Sequence, residues 1–323
     1  MLEPLLVADD GTPIETLDQW IAQRVKIHKR WDAFLGTMPD RPRVRREVLR
    51  EEILPGARRL LIRYECEPGI PVEGYLLYPH PVGTTPRAGL VALHPTTANT
   101  IDESAGVSGP ESKALGLQLA REGFVVFCPR CFLWQDPSLE YEEAARRFLE
   151  RRPGVLGMRK MLYDAQCAVD VLASLPEVDP ERIGAVGHSL GAKETLYLAA
   201  FDERIQAAVA SEGGIGLTFT NWHDPWYLGP AIHKPGFSLN HHQLLALIAP
   251  RPFLILGGES GGPAGSTTVD GDRTWPCVEA ALPVYRLYGE PARIGLYNHR
   301  QGHTIPPDAY DRTVEWLRAY LGA

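Results

Sequence analysis

The segment Gly187-His188-Ser189-Leu190-Gly191 has the spacing G-x-S-x-G, in which a serine stands between two glycines. A strand-like apolar run precedes it and a helix-like stretch follows it. A sharp turn from strand to helix exposes the serine hydroxyl, and the glycines leave room for the strained backbone of that turn. The helix-like stretch that follows would begin at the serine, where the helix dipole favours developing negative charge. The pattern therefore predicts that Ser189 is a nucleophile.

A serine hydroxyl needs a general base within hydrogen-bond reach before it can attack a carbonyl carbon near neutral pH. Two histidines, His299 and His303, follow the last strand-like run of the chain. Gly302 lets the backbone turn just before His303, and a Pro-Pro pair fixes the loop ahead of the final helix. We predict that His303 is the base and that His299 caps the strand.

The third member of such a set is a carboxylate that orients the imidazole and stabilises its protonated form. The glycine-rich connection after the penultimate strand-like run offers Glu259, Asp270 and Asp272. Asp270 is followed by Gly271, a pair suited to a tight turn, so it is the preferred candidate. Asp272 and Glu259 remain alternatives, and the chain order is then serine, aspartate, histidine.

Acyl transfer also needs two backbone N–H groups aimed at the oxyanion. One is expected from Leu190, the residue after the nucleophile. The other is expected from the loop His94-Pro-Thr-Thr-Ala, which follows a buried strand-like run. Pro95 has no N–H, so the sequence predicts Thr96 as the donor, with Thr97 as the second choice.

Strand-like and helix-like segments alternate from about residue 58 to the end, which indicates a mostly parallel sheet covered by helices. The central strand-like runs are uniformly apolar, as expected of strands buried on both faces, whereas the first two alternate and suit an edge hairpin. The predicted strands are Arg58–Cys66, Val72–Tyr78, Ala88–His94, Phe124–Cys128, Arg182–Gly187, Ile205–Ser211, Pro252–Gly257 and Arg293–Asn298. The predicted helices are Ser112–Glu122, Gly157–Ser174, Gly191–Phe201, Val278–Tyr288 and Pro307–Leu321.

Residues 1–57 are expected to form a helical extension, and residues 58–323 a single catalytic domain. Two connections, 129–156 and 212–250, are too long for simple turns and are rich in aromatic residues and proline. We expect them to fold over the active site. The candidate pocket residues are Thr97, Trp134, His188, Glu212, Trp222 and Trp226.

The charge and composition exclude several classes of protein. A formal charge of −7 and a pI near 5.8 argue against nucleic-acid or anionic-membrane partners, which require clustered cations. No transmembrane run or signal peptide is apparent, so a cytoplasmic location is expected. The pair Cys128 and Cys131 and the histidines His223, His241 and His242 have no convincing metal-ligand spacing, which predicts packing or capping roles and no metal or other cofactor.

These segments together resemble the α/β-hydrolase superfamily, in its dienelactone-hydrolase-like and acetyl-xylan-esterase-like bacterial branch. The resemblance covers about residues 58–323 and is carried by Leu93-His-Pro-Thr-Thr-Ala, Leu172-Ala-Ser-Leu-Pro-Glu-Val-Asp-Pro-Glu-Arg-Ile-Gly, the elbow around Ser189, Phe201-Asp-Glu-Arg-Ile and Gly302-His-Thr-Ile-Pro-Pro. It implies the α/β-hydrolase fold with a mostly parallel, eight-stranded sheet. It also favours Asp270, because members often carry Asp-Gly shortly before a Ser/Thr-Trp-Pro segment, although the insertion 260–269 departs from that pattern.

Dienelactone hydrolases proper use a cysteine where this chain has Ser189, so an esterase is the better expectation. The sequence predicts a carboxylesterase-type serine hydrolase that forms an acyl-enzyme on a small or medium ester, with an acetyl ester as one option. The alternatives are a peptidase or amidase, a lactone hydrolase with the same residues, and a catalytically silent binding protein. The oligomeric state is left open, with a homo-oligomer among the options.

Overall fold

The computed structural model describes residues 2–260, 269–289 and 291–322. Most of the insertion 260–269 noted in the sequence lies outside these described residues. Nine strands of the described chain form one sheet in the order β1-β2-β3-β5-β4-β6-β7-β8-β9. They are β1 (Arg46–Leu54), β2 (Ala57–Glu67), β3 (Ile70–Pro79), β4 (Arg87–Leu93), β5 (Val125–Pro129), β6 (Val178–His188), β7 (Ile205–Ser211), β8 (Phe253–Gly257) and β9 (Ile294–Asn298).

Strands β1, β2 and β3 are antiparallel, and β3 also runs antiparallel to β5. The remaining strands, from β5 across to β9, are parallel. In β4, Leu90 packs into the core on one face of the sheet and Val91 into the core on the other. Both faces are therefore covered, which explains why the central strands are apolar throughout.

Helices cover the two faces. They are α1 (Leu17–Leu35), α2 (Thr100–Ser104), α3 (Leu115–Arg121), α4 (Tyr141–Arg151), α5 (Gly157–Ala173), α6 (Leu190–Phe201), α7 (His241–Ile248), α8 (Trp275–Leu287) and α9 (Pro307–Leu321). Apolar residues of α1, α4, α5, α6, α7 and α8 join one core, and those of α2, α3 and α9 join the other. None of the helices in the described ranges is long and apolar enough to span a membrane.

All eight predicted strands are present, with ends that differ from the prediction by no more than four residues. The ninth, β1, was missed, and the expectation that all of residues 1–57 is helical was wrong. Only α1 is an α-helix there among the residues described, and β1 pairs with β2 at the sheet edge. This edge strand carries charges on both faces, including Glu51 and Glu52, so it lacks the apolar alternation that reveals a strand.

Candidate active site

Ser189 lies in the turn between β6 and α6. Its φ is 57°, a backbone conformation that residues other than glycine rarely adopt. Its backbone N–H donates to Ser211 O at 2.8 Å, which ties the turn to the end of β7. A Cβ atom on Gly187 would lie 2.2 Å from Gly191 O, and one on Gly191 would lie 2.0 Å from Leu93 O. Both glycines are therefore required by the close approach of backbone around the serine.

The structure brings His303 to this serine. His303 Nε2 lies 2.9 Å from Ser189 Oγ. The histidine follows β9 in a loop that turns at Gly302, where φ is 81°. Its other ring nitrogen, Nδ1, lies 2.7 Å from Glu212 Oε2. Because a carboxylate only accepts hydrogen bonds, Nδ1 carries the proton and Nε2 is free to accept the serine hydroxyl.

Glu212 directly follows β7 and is completely buried, with φ of 58°. Its Oε1 atom accepts a hydrogen bond from Thr304 N at 3.0 Å. In the parallel pairing of β6 and β7, His188 stands opposite Ser211. The residues that follow, the serine and the glutamate, therefore emerge side by side at the carboxyl end of the sheet. The structure thus forms a hydrogen-bonded chain from Ser189 through His303 to Glu212, which we call the Ser-His-Glu chain.

The expectation that Asp270 contacts His303 was wrong. The buried Asp270 carboxylate accepts hydrogen bonds from Gly214 N at 2.8 Å, Ile215 N at 2.7 Å and Thr274 Oγ1 at 2.7 Å. Burial raises the pKa of Asp270, against the lowering effect of these three hydrogen bonds. Both oxygens of the Asp270 carboxylate are therefore occupied by the segment after β7 and by Thr274. The carboxylate does not contact the imidazole of His303.

The two alternative acids also lie elsewhere. Glu259 accepts a hydrogen bond from Arg273 N at 3.0 Å and forms an ion pair with the guanidinium of the same residue. Asp272 is exposed and lies 3.3 Å from Arg300 Nη2. The acid of the chain therefore comes from the end of β7 and not from the connection after β8.

The segment 212–217, here called the acid turn, is held by buried and half-buried side chains from three other parts of the chain. Lys193 Nζ donates to Gly213 O at 2.7 Å, and its cation lies 3.7 Å from the ring centre of Trp222. Burial lowers the pKa of this lysine well below its usual value. Further along, His241 Nδ1 accepts from Gly216 N at 2.9 Å, and Asn240 Oδ1 accepts from Leu217 N at 3.2 Å. Together with Asp270, these bonds fix the backbone that carries Glu212.

The second histidine of the last loop, His299, lies behind the acid and not at the serine. Its Nδ1 accepts a hydrogen bond from Gln301 N at 3.1 Å, so the proton resides on Nε2. Nε2 lies 3.3 Å from Glu212 Oε1 without completing a hydrogen bond. The backbone N–H of His299 also donates to Gly257 O at 2.8 Å, which joins the end of β9 to β8.

A cavity of about 290 Å³ opens at Ser189. Its lining comes mainly from the segment that follows β4, from α3 and from the loop that carries His303. Of the predicted pocket residues, Thr97 and His188 belong to it. The lining residues are Leu93, Pro95, Thr96, Thr97, Glu103, Ser104, Ser112, Lys113, Leu115, Gln118, His188, Ser189, His303, Thr304, Ile305 and Tyr310.

The aromatic residues of the two long connections do not line this cavity. Trp222 is 1% exposed and packs on Lys193. Trp134 and Trp226 are half-buried, and both rings contact Tyr141, at centroid distances of 5.8 and 5.5 Å. Glu212, also predicted as a pocket residue, contacts His303 from behind.

The expected oxyanion donors flank the serine. Leu190 is the first residue of α6, and Thr96 is exposed in the cavity wall. Neither backbone N–H has a hydrogen-bond acceptor among the residues described. The ring of His188 contacts that of His303 in a tilted arrangement, at a centroid distance of 4.6 Å, and burial lowers the pKa of His188 to about 3. His188 is therefore neutral near pH 7 and adds no competing positive charge beside the base.

The histidines and cysteines considered as metal ligands have other partners. Within the described ranges, no group of three or more His, Cys, Asp or Glu side chains is arranged to hold a metal ion. His242 Nε2 lies 2.9 Å from Glu3 O, and the ring of His223 contacts that of His233. All five cysteines are buried free thiols.

Residues 100–235, which include the elbow around Ser189, match the family model of the dienelactone hydrolase family. YtaP of Bacillus subtilis (strain 168), a protein provisionally named a hydrolase, is 36% identical over 104 residues, or 30% of this chain and 34% of YtaP. The 4-O-methyl-glucuronoyl methylesterase 1 of Sodiomyces alcalophilus is 26% identical over 147 residues, or 38% of this chain and 29% of that protein. These alignments span less than two thirds of either relative.

Among solved structures, a glucuronoyl esterase from Solibacter usitatus superposes with a TM-score of 0.79 at 19% identity, covering 99% of this chain and 97% of that one. A glucuronoyl esterase from Teredinibacter turnerae T7901 gives a TM-score of 0.71 at 20% identity, covering 98% and 89%. The chain is therefore a protein of the α/β-hydrolase fold. Within that fold class, residues 100–235 are similar to the dienelactone hydrolase family, and the two curated relatives are named as a hydrolase and a methylesterase.

Proposed function

We propose that this protein is a serine carboxylic-ester hydrolase that acts through an acyl-enzyme intermediate. The observation that carries the proposal is the Ser-His-Glu chain, with 2.9 Å between Ser189 Oγ and His303 Nε2 and 2.7 Å between His303 Nδ1 and Glu212 Oε2. A nucleophile, a base and an orienting acid within hydrogen-bond distance define the geometry that covalent acyl transfer requires.

In the first step, His303 Nε2 takes the proton of Ser189 while Oγ attacks the ester carbonyl carbon. The buried carboxylate of Glu212 holds the imidazole in the required tautomer and stabilises the imidazolium that forms. The N–H groups of Leu190 and Thr96 are the proposed donors to the oxyanion, and the N-terminus of α6 adds a favourable dipole. Protonated His303 then donates its proton to the departing alcohol.

In the second step, His303 removes a proton from water, which attacks the carbonyl carbon of the acyl-serine. Protonated His303 then returns this proton to Ser189 Oγ as the bond to the acyl group breaks, which releases the acid. No step requires a metal or another cofactor. A catalytically silent binding protein is less well supported, because such a scaffold has no need to keep three residues in register. A peptidase or amidase, or a lactone hydrolase, would use the same three residues and differs only in the leaving group or the ring that is opened.

Carbohydrate esters are the substrate class that we favour. Several similar proteins are named as esterases of carbohydrates, including a glucuronoyl methylesterase and a carbohydrate esterase. The cavity of this chain supports the same class, because hydroxyl and amide side chains such as Ser104, Ser112, Gln118 and Tyr310 line it. Small uncharged esters, including acetyl esters, are expected to fit a cavity of about 290 Å³.

The test is turnover of 4-nitrophenyl acetate and butyrate by the wild type and by Ser189→Ala, with matching 4-nitroanilides as amide substrates. Ser138→Ala is the matched control, because Ser138 is exposed in a surface loop and bonds only to Asp136. We expect Ser189→Ala to lose about 10⁶-fold in kcat and the control to be unchanged. A fluorophosphonate should label the wild type but not Ser189→Ala. Ester turnover by Ser189→Ala within about tenfold of wild type would refute the proposal.

A further inference from the structure

Glu103 is a buried carboxylate in the wall of the active-site cavity. The residue is 4% exposed, yet it lines the cavity that opens at Ser189. Within the described chain, the only hydrogen bond to its carboxylate comes from Thr97 Oγ1 to Oε2, at 3.3 Å. No ion pair involving Glu103 forms among the described residues. The carboxylate therefore has unused acceptor capacity where it borders the cavity, and a ligand bound there could fill it.

The surrounding backbone holds this carboxylate in place. Ile101 and Ala105 anchor α2 and the residue after it in the core on one face of the sheet. Arg130 Nη1 donates to Thr100 Oγ1 at 2.8 Å and ties the start of α2 to the end of β5. Gly109, with φ of 81°, packs beside the side chain, and a Cβ there would lie at van der Waals distance, 3.4 Å, from Glu103 Oε2. A ligand can therefore approach the Glu103 carboxylate from the cavity.

We propose that Glu103 is a specificity-determining residue that accepts hydrogen bonds from hydroxyl groups of a sugar-like or other polyhydroxylated ring in the substrate. The inference rests on the proposed ester hydrolysis at Ser189 and adds the group that selects the substrate. Glu103 is separate from the Ser-His-Glu chain, which is complete without it. Its role is therefore in binding and not in proton transfer.

A hydroxylated ligand fits this cavity better than a cationic one. Lys113 also lines it and forms no ion pair within the described chain, so it opposes a second positive charge. The neutral donors and acceptors nearby, including Thr96, Ser112 and Gln118, suit a ring with several hydroxyl groups. Charged acceptors such as Glu103 form the stronger hydrogen bonds to such groups.

The experiment uses two pairs of ring-matched esters, one for each side of the ester bond. The methyl ester of a hexuronic acid is compared with methyl cyclohexanecarboxylate, and a monoacetylated methyl pyranoside with cyclohexyl acetate. A fifth substrate, methyl 4-aminocyclohexanecarboxylate, tests a cation. The variants are Glu103→Gln and Glu103→Ala, with Glu111→Gln as control, because Glu111 lies in the same segment but is exposed and pairs with Arg121.

We expect the wild type to favour the hydroxylated ester of at least one pair. Glu103→Ala should lower kcat/KM for that ester tenfold or more, with a smaller loss in Glu103→Gln, because the amide keeps an acceptor but not the charge. Both variants should turn over methyl cyclohexanecarboxylate, cyclohexyl acetate and 4-nitrophenyl acetate within about twofold of wild type. Glu111→Gln should match wild type on all of them.

Equal losses on the hydroxylated and plain members of both pairs would overturn the assignment and indicate a structural role. A loss confined to the amino ester would also overturn it, in favour of a cation site. Circular dichroism and thermal unfolding of each variant separate these results from misfolding. Two other results would refute the ester hydrolase proposal itself. Either Ser189→Ala would keep its activity, or the wild type would turn over none of the five esters. The inference about Glu103 would then be refuted as well.

Discussion

The carboxylate of Glu212 lies between two imidazoles, with Oε2 2.7 Å from His303 Nδ1 and Oε1 3.3 Å from His299 Nε2. One ring faces the serine and the other is completely buried behind the acid. The two carboxylate oxygens of Glu212 therefore have different partners. Oε2 orients the base, and Oε1, which also accepts Thr304 N, keeps the carboxylate from rotating.

Glu212→Gln is expected to reduce kcat by about 10⁴-fold on an activated ester, by analogy with a serine triad whose aspartate is neutralised. The amide cannot stabilise the imidazolium, and its nitrogen would present a donor to His303 Nδ1. Steady-state kinetics on 4-nitrophenyl acetate measures the effect. Glu259→Gln is the control, because Glu259 bonds to Arg273 and not to the histidine. Normal turnover by Glu212→Gln would transfer the acid to another residue.

Asp270→Asn is expected to destabilise the protein and to lower activity less than Glu212→Gln does. The substitution points an NH₂ group at the N–H of Gly214 or Ile215, so one hydrogen bond of the acid turn is replaced by a donor-donor clash. The loss should be about 1–3 kcal/mol in the free energy of unfolding. Urea denaturation measures it. Asp272→Asn, at an exposed position, should change stability by less than about 0.5 kcal/mol.

His94 is expected to make the stability depend on pH. Its Nδ1 bonds to Pro95 O and its Nε2 accepts from Cys131 N, so the buried ring is neutral, and burial lowers its pKa to about 4. The unfolded chain, with an ordinary histidine pKa of about 6.5, therefore binds more protons between pH 4 and 6.5. Stability contributed by His94 is full above pH 6.5 and is lost as the pH falls towards 4.

The measurement is the free energy of unfolding across that range for wild type, His94→Gln and His233→Gln. In the first variant the slope should fall by up to about 1.4 kcal/mol per pH unit, the value for one proton. His233 is exposed, so its replacement should leave the slope unchanged. An unaltered slope in His94→Gln would mean that the ring does not carry this proton linkage.

A chelator is expected to leave ester turnover unchanged. The proposed oxyanion donors are the amides of Leu190 and Thr96, so no Lewis acid is needed. Activity is measured before and after incubation with EDTA and removal of the chelator by gel filtration. Loss of turnover that zinc restores would show that the mechanism lacks a component.

The pairing of Ser189 with His303 could be predicted from the sequence because each residue has a local signal. For Ser189 this is the glycine spacing at the end of a strand, and for His303 it is the glycine in the loop after the last strand. The acid has no such signal. Its prediction rested on the assumption that it follows the penultimate strand, whereas Glu212 follows Ser211, the residue that stands opposite His188 in the register of β6 and β7. An acidic residue directly after the strand that neighbours the serine's strand was the signal that would have identified it.

Other elements escaped prediction for different physical reasons. Strand β1 is an exposed edge strand, so burial imposes no alternation on it. The short helix α7 lies inside a long connection, and all eight of its residues are buried, which removes the polar face that reveals an amphipathic helix. The aromatic-rich connections were expected at the substrate because of their position in the chain, but Trp222 packs beneath the acid turn on Lys193.

The position of Glu212 directly after β7 has a consequence for how this chain can change in evolution. Every member of the Ser-His-Glu chain lies outside the connection between β8 and α8. Within the described part of that connection, Asp270 binds the acid turn and Thr274, and Glu259 binds Arg273. We therefore expect natural selection to tolerate insertions and deletions there, provided that Asp270 still reaches the acid turn. The length of the connection between β8 and α8 can then differ between related proteins while the Ser-His-Glu chain stays the same.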